Sequence, residues 1–222
     1  MPLANSVHSA MVLSALSLLT AALAQSAFTS TYSDLDFAKC EIVHEDSEFG
    51  FVEWRCAGDH GYDILATEAD LRLYLAYQKE GELHGAPVAP SELETDEAFS
   101  ADEAEAGDRS LGQTISPFNN LGPKLEWRLP TGPGAEPFAT IVRYRYQADP
   151  DDTEEGQALV VSRFRKGESC HVAYIDALAN PDANVMAREV ADKFARGGEC
   201  PEGAVPVLGR GGERIYVGNM AA

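Results

Sequence analysis

Basic residues are scarce in this sequence of 222 residues. It has 17 lysines and arginines against 36 aspartates and glutamates, which gives a formal net charge of −19 at pH 7. A surface this negative repels the phosphate backbone of nucleic acids and the headgroups of anionic lipids. The composition therefore disfavours nucleic-acid binding and docking on an anionic membrane, and it favours either a cationic partner or none.

The motifs of the common catalytic and metal sites are also missing. The sequence has no G-x-S-x-G, no H-E-x-x-H and no glycine-rich phosphate loop between a strand and a helix. Its four cysteines lack the closely spaced pairs of zinc sites, and its acidic segments, residues 91–108 and 149–155, lack the spacing of a calcium loop. We therefore expect no metal, no cofactor and no enzymatic activity.

Long apolar segments are absent as well, apart from residues 11–23, which are too few to cross a bilayer as a helix. Ala22-Leu23-Ala24 supplies the small residues that signal peptidase requires, although no Lys or Arg precedes the apolar stretch. We predict a signal peptide over residues 1–24, cleaved after Ala24, and a periplasmic single domain over residues 25–222 without a stable membrane anchor. The alternative is an uncut N-terminus.

All four cysteines follow this segment. An even number of cysteines in an exported chain indicates two disulfides, for which three connectivities exist. Proximity in sequence favours Cys40–Cys56, which would join two strands of a hairpin, and Cys170–Cys200, which would attach a strand to the end of a helix.

Alternating apolar residues predict a mostly β structure. Leu125, Trp127 and Leu129 alternate with polar residues in one such run. The other predicted strands are Cys40–His44, Gly50–Arg55, Tyr62–Ala66, Leu71–Tyr77, Phe138–Gln147, Gln157–Lys166 and Cys170–Ile175. Between the strands that end at Tyr77 and those that begin at Leu125 lies an acidic insert, residues 91–108, with eight acids and no Lys or Arg. This composition is typical of a solvated, mobile segment.

One helix is predicted near the C-terminus, over about residues 181–196. Asn180 is a suitable N-cap, Pro181 suits the first position, and Gly197 ends the pattern. The apolar stripe consists of residues at three- and four-residue steps, namely Ala183, Met186, Ala187, Val190, Ala191 and Phe194. The predicted fold class is therefore α+β: mainly an antiparallel sheet, with this helix packed on one face.

Asp59, His60 and Asp63 are the polar cluster that most resembles a catalytic one. A histidine between carboxylates can act as a general base or a metal ligand. Asp and His beside glycine are also common turn residues, and Gly58 and Gly61 flank this pair. We favour the turn interpretation and assign no catalytic residue.

Four arginines form the candidate binding site. If the strands Phe138–Gln147 and Gln157–Lys166 pair about a turn near Asp152, paired residue numbers have an even sum. Val142, Tyr144, Tyr146, Val160 and Phe164 then share the core face, and the opposite face carries Arg143, Arg145, Arg163 and Arg165. The four guanidinium groups would lie near one another and bind either an anionic ligand or partner, or the chain's own acids.

Several runs resemble a family of small exported proteins from alphaproteobacteria. They are Trp54-Arg55-Cys56-Ala57-Gly58, Asp70-Leu71-Arg72, Glu126-Trp127-Arg128-Leu129, and residues 170–177 leading into residues 180–184. The resemblance covers most of the mature chain except the acidic insert. It implies a periplasmic setting and two disulfides, and it transfers no catalytic or binding residue.

We therefore expect a non-enzymatic binding or interaction protein for an anionic ligand or a protein partner. One alternative is an inhibitor of a cationic, lysozyme-like enzyme, since such targets have complementary charge. The other is a hydrolase-type enzyme with a site near Asp59 and His60.

Overall fold

The computed structural model describes residues 26–84, 113–115, 118–147, 155–163, 165, 169–197, 200–201, 205–209 and 214–215. The predicted signal peptide and the acidic insert at 91–108 lie outside these residues. Phe164, which was expected on the core face of the predicted strand Gln157–Lys166, also lies outside them.

Two sheets, rather than the single predicted one, make up most of the described residues. Five strands form an antiparallel meander in the order β2-β3-β4-β5-β6. They are β2 (Glu41–Asp46), β3 (Phe51–Ala57), β4 (Asp63–Ala69), β5 (Arg72–Lys79) and β6 (Glu82–His84). The predicted strands of this half are thus confirmed, with ends that differ by a few residues.

The second sheet has seven strands in the order β1-β7-β8-β9-β10-β11-β12. Its pairs are antiparallel except β10 with β11. The strands are β1 (Phe28–Asp34), β7 (Asn120–Pro130), β8 (Ala139–Tyr146), β9 (Gly156–Arg163), β10 (Cys170–Asp176), β11 (Val207–Leu208) and β12 (Arg214–Ile215).

The central strands of the larger sheet are apolar on both faces because both faces are covered. On one face, Trp127, Tyr144 and Val160 pack against the five-stranded sheet, through residues such as Ile64 and Tyr77. On the other face lies the helix, over a second cluster. The architecture therefore has three layers: the five-stranded sheet, the seven-stranded sheet and the helix. The sequence pattern predicted two layers, a sheet and a helix.

Helix α1 (Ala183–Val190) continues into a π-helical turn, Ala191–Ala195. The predicted helix is confirmed in position, but it begins at Ala183 with Asp182 as N-cap residue. Asn180 is not the cap: its side-chain amide donates to the carbonyls of Asp176 (2.8 Å) and Leu208 (3.3 Å). It therefore ties the end of β10 to β11.

The π turn also corrects the predicted apolar stripe. Ala183, Ala187, Ala191 and Ala195 are buried against the sheet, whereas Phe194 is 49 % exposed. A π-helical turn holds more residues than an α-helical turn. The position that returns to the sheet after Ala191 is therefore Ala195, four residues on, and Phe194 faces solvent.

Two ion pairs fix the helix to the sheet. The Arg128 guanidinium on β7 donates to both carboxylate oxygens of Asp192, at 2.7 and 2.6 Å. Arg188 on α1 donates to Glu126, also on β7, at 2.7 and 3.3 Å. Glu126 and Arg128 were expected on a polar strand face, yet both are buried, because α1 covers that face.

Both predicted disulfides are present. Cys40–Cys56 joins the start of β2 to β3 with a Cα–Cα distance of 4.5 Å. Cys170–Cys200 joins the start of β10 to the chain beyond the helix, at 5.9 Å. Among the described residues, no helix is long and apolar enough to cross a membrane.

Candidate functional site

The β8–β9 hairpin has the even register. Val142 lies opposite Val160, and Tyr144 lies opposite Ala158. Val142, Tyr144 and Val160 are buried in the core between the two sheets. The observed pairing confirms the predicted register. The alternative register would place charged residues in this core.

The register does not bring the four arginines together. Arg143 lies opposite Leu159, and Arg163 lies opposite Ala139, so the two are about four residues, or roughly 13 Å, apart along the strands. Arg165 follows the end of β9 and donates from Nη2 to the carbonyl of Arg196 at 2.7 Å. The expected cluster of four is therefore wrong.

Helix α1 covers the part of the strand face that lies between these arginines. Ile141, Leu159 and Val161, which share the arginine face, pack under the helix in the second core cluster. Arg143 and Arg145 lie at one end of the covered face, and Arg163 lies at the other and is buried. The sequence pattern identified the shared face but not the layer that divides it.

At the open end, the two arginines have neighbours of their own. Arg143 Nη1 donates to Gln157 Oε1 at 3.0 Å. Arg145 Nε lies 3.8 Å from Glu155 Oε1, with both side chains 50 % exposed. This contact is longer than a hydrogen bond, and a pair so exposed contributes little to stability, so the Arg145 guanidinium is accessible to a competing anion.

The Asp59 and His60 segment is a hydrogen-bonded turn. His60 has φ = 53°, and the Tyr62 N–H donates to the carbonyl of Asp59 at 2.9 Å. Burial raises the pKa of the Asp59 carboxyl, but hydrogen bonds from Thr31 and from the His60 backbone N–H outweigh it and lower that pKa. Asp63 begins β4, opposite Ala57 and Gln78.

This turn does not have the geometry of a catalytic triad. In a triad, the nucleophile binds one ring nitrogen of the histidine and the orienting carboxylate binds the other. Here Thr31 Oγ1 and Asp59 Oδ2 both approach Nε2 of His60, at 3.1 and 3.7 Å. The described residues also contain no group of three or more His, Cys, Asp or Glu side chains that could hold a metal ion.

A cleft of about 330 Å³ lies where the ends of the two sheets meet. Its volume is at the lower end of the range of small-molecule sites. Of the four predicted arginines, Arg145 lines it. The lining residues are Glu68, Leu71, Phe118, Asn119, Asn120, Arg145, Tyr146, Gln147 and Glu155.

The apolar side of the cleft is held open by backbone in an unusual conformation. Leu71 and Phe118 have φ of 59° and 57°, a region that bulky residues rarely adopt. The Phe118 N–H donates to the Leu71 carbonyl at 2.7 Å, which joins the two segments. Both side chains are exposed, by 56 % and 37 %. The fold thus tolerates strain to present two apolar side chains to solvent, a combination found at functional sites.

Leu71 occupies one of two positions in a tight hairpin turn. Ala69 of β4 pairs with Arg72 of β5, so Asp70 and Leu71 form the loop, and both have positive φ. Hairpin loops of this type prefer glycine at the second position. Leu71 was predicted to begin the following strand, whereas it lies in the turn; Leu73, Leu75 and Tyr77 of that strand are buried.

A glycine positions the aromatic wall. Gly156 lies directly opposite Tyr146. A Cβ atom at Gly156 would lie 2.5 Å from the Tyr146 ring, so the ring covers the glycine backbone. The Tyr146 ring is thereby held at the edge of the cleft.

A separate, enclosed polar space lies between the sheets. His171 is buried, and its Nδ1 is 3.0 Å from the Tyr174 hydroxyl. Burial lowers the pKa of His171 to about 3. The space beside it, about 10 Å³, is also lined by Tyr77, Tyr144 and Arg163. This volume is about that of one water molecule, so the space is too small for an organic ligand.

Comparisons with known proteins do not assign a function to the cleft. No family model, curated protein or solved structure matches the chain.

Sequence reasoning found Arg145 but missed the rest of the cleft. The usable signal was Asp70-Leu71, a pair placed between two strand-like runs without the glycine that such a turn favours. Phe118 carried no signal, because its exposure depends on the hydrogen bond to the turn at Leu71.

Proposed function

We propose that this chain is an exported, non-enzymatic binding protein whose ligand site is the cleft. The observation that carries the proposal is the exposure of Leu71 and Phe118 on backbone with positive φ, beside the accessible guanidinium of Arg145. A purely structural turn has no use for exposed apolar side chains on a strained backbone.

The ligand is an amphipathic organic anion. Its charged group replaces Glu155 at Arg145, where a carboxylate or sulfonate can form hydrogen bonds that the present 3.8 Å contact does not make. Its apolar part covers Leu71, Phe118 and the ring of Tyr146. The amides of Asn120 and Gln147 at the rim provide both donors and acceptors. The acidic surface, including Glu68 in the cleft, disfavours ligands of high negative charge.

The test uses two fluorescent probes that share an apolar body. Anilinonaphthalene sulfonate carries a negative charge, and phenylnaphthylamine is neutral. We expect Arg145→Gln to weaken sulfonate binding by about tenfold, since hydrogen bonds to charged groups contribute about 1.5 kcal/mol or more, and to leave binding of the neutral probe unchanged. Fluorescence titration measures both affinities.

Arg143→Gln is the matched control, because Arg143 lies on the same strand but contacts Gln157 rather than the cleft. It should leave both affinities at the parent value. Equal losses in the Arg143 and Arg145 variants would mean that the arginines act through general charge, and the proposed site would be rejected.

Leu71→Gly separates a binding role from a structural one. Glycine adopts positive φ without strain, so the variant should be as stable as the parent or more stable by about 1 kcal/mol. It should nevertheless bind both probes more weakly, because the exposed leucyl side chain is gone. Urea unfolding and fluorescence titration test the two halves. A less stable variant with unchanged affinities would show that Leu71 is structural.

Gly156→Ala should weaken binding of both probes although residue 156 does not line the cleft. The added Cβ displaces the Tyr146 ring, and half-buried side chains at an edge can move at low cost in stability. Gly197→Ala is the control, because a Cβ there meets nothing within 4 Å. If Gly156→Ala binds both probes like the parent, Tyr146 is not part of the site.

A further inference from the structure

The tip of the β2–β3 hairpin presents an aromatic side chain to solvent. Phe49 is 78 % exposed, and Ile42 on β2 is 54 % exposed. Neither residue lines the cleft. We call residues 41–53 the hairpin arm. An exposed phenylalanine at the tip of a hairpin contributes little to folding, whereas large aromatic anchors commonly dominate protein interfaces.

The arm is held rigidly at both ends. At its base, the Cys40–Cys56 disulfide joins the two strands. At its tip, the Asp46 carboxylate accepts hydrogen bonds from the backbone N–H groups of Glu48 (3.0 Å) and Phe49 (3.3 Å). Gly50 closes the turn at φ = 65°. A preordered arm loses little conformational entropy when it docks.

The charge around the aromatic tip has one sign. The arm contains five acids and no Lys or Arg. They are Glu41, Glu45, Asp46, Glu48 and Glu53. Glu41 is partly compensated by Arg55 at 3.5 Å, and this pair lies at the base, away from the tip. A surface complementary to the tip therefore combines an apolar pocket with surrounding lysines or arginines.

We propose that the hairpin arm docks on a cationic protein, with Phe49 inserted in an apolar pocket of that partner. The arm is at the edge of the five-stranded sheet, where β2 has a strand neighbour on one side among the described residues. A second copy of this chain is a poor partner for the arm, because its net charge of −19 has the same sign as the charge of the arm and repels it. A small ligand is a poor occupant as well, because the tip protrudes and offers no concave surface.

The inference is independent of the proposed function of the cleft, although the two surfaces lie at the same end of the sheet. Val52, next to the tip, pairs with Glu68 of the cleft. The experiment therefore has to separate them. Phe49→Ser should leave anilinonaphthalene sulfonate binding unchanged, and Arg145→Gln should leave docking of the cationic protein unchanged.

The probe is lysozyme, a cationic enzyme with an open, partly apolar cleft, and α-lactalbumin is the acidic control of similar size. Biolayer interferometry at low and moderate salt should show binding to lysozyme, weakened by salt, and none to α-lactalbumin. Phe49→Ser should lower the affinity by about tenfold or more. Removing two charges in Glu45→Gln/Glu48→Gln should mainly slow association and reduce the salt dependence.

Phe194→Ser is the matched control, because Phe194 is also an exposed phenylalanine but lies on the helix side. It should leave lysozyme binding unchanged, and thermal unfolding should confirm that both serine variants are as stable as the parent. Equal losses in the two variants, or no lysozyme binding by the parent at low salt, would overturn the proposal.

Discussion

Replacing Arg128 by alanine is expected to lower the free energy of unfolding by about 3–5 kcal/mol. The Arg128 side chain is 8 % exposed and that of Asp192 is 23 % exposed, and two hydrogen bonds join them. Alanine would leave the Asp192 carboxylate largely buried without its cation. Urea unfolding of the two proteins at neutral pH measures the difference.

The double variant Arg128→Met/Asp192→Leu separates the cost of a broken pair from the value of the pair. Well-packed apolar residues often replace a buried ion pair at no net cost, so we expect the double variant to recover most of the lost stability. Arg145→Ala is a surface control that should cost about 1 kcal/mol or less. A loss below about 1 kcal/mol for Arg128→Ala would mean that water reaches the pair.

The misread face of β7 shows the limit of periodicity. Alternation of Leu125, Trp127 and Leu129 with charged residues correctly predicted a strand with two distinct faces. It could not reveal that a helix covers the charged face. The helix is fixed there by Arg188 and Asp192, which lie more than 60 residues from their partners on β7, and a single sequence does not connect residues so far apart.

The β8–β9 hairpin shows the opposite case. Its register follows from parity, since a one-residue shift would put the arginines of one strand, either Arg143 and Arg145 or Arg163 and Arg165, into the core between the sheets. That constraint lies within two neighbouring segments, and the observed pairing agrees with it. What could not be predicted was which residues of the arginine face are covered by α1, because that depends on where the helix returns along the sheet.

The cleft was the least predictable feature, for a local reason and a distant one. Locally, Leu71 is in a turn that its residue type disfavours, so propensity assigned it to the strand. At a distance, Glu68 and Arg145 belong to different sheets and meet only when these sheets pack. Arg145 was recognised because arginines are unusual in so acidic a chain, not because its surroundings were foreseen.

His171 is expected to make the protein less stable as the pH falls from about 6 to 4. Burial lowers its pKa from 6.5 to about 3 in the folded protein. Between these values the unfolded chain binds one more proton than the folded chain, so acid favours unfolding. The contribution of His171 is fully present above its unfolded pKa and is lost as the pH falls toward its folded pKa, at up to about 1.4 kcal/mol per pH unit.

The slope of unfolding free energy against pH, and not its absolute value, identifies the histidine. His171→Gln removes the titrating ring while keeping a polar group near the Tyr174 hydroxyl, so some stability is lost at every pH. Its slope between pH 6 and 4 should nevertheless be smaller than that of the parent by up to about 1.4 kcal/mol per pH unit. Urea unfolding at half-unit pH steps measures both slopes. His44→Gln, at an exposed position, is the control and should retain the parental slope. Parallel curves for the parent and His171→Gln would contradict the prediction, because they would show that His171 takes up a proton in the folded protein. In that case the cavity that His171 shares with Tyr77, Tyr144 and Arg163 admits enough water to solvate the charged ring.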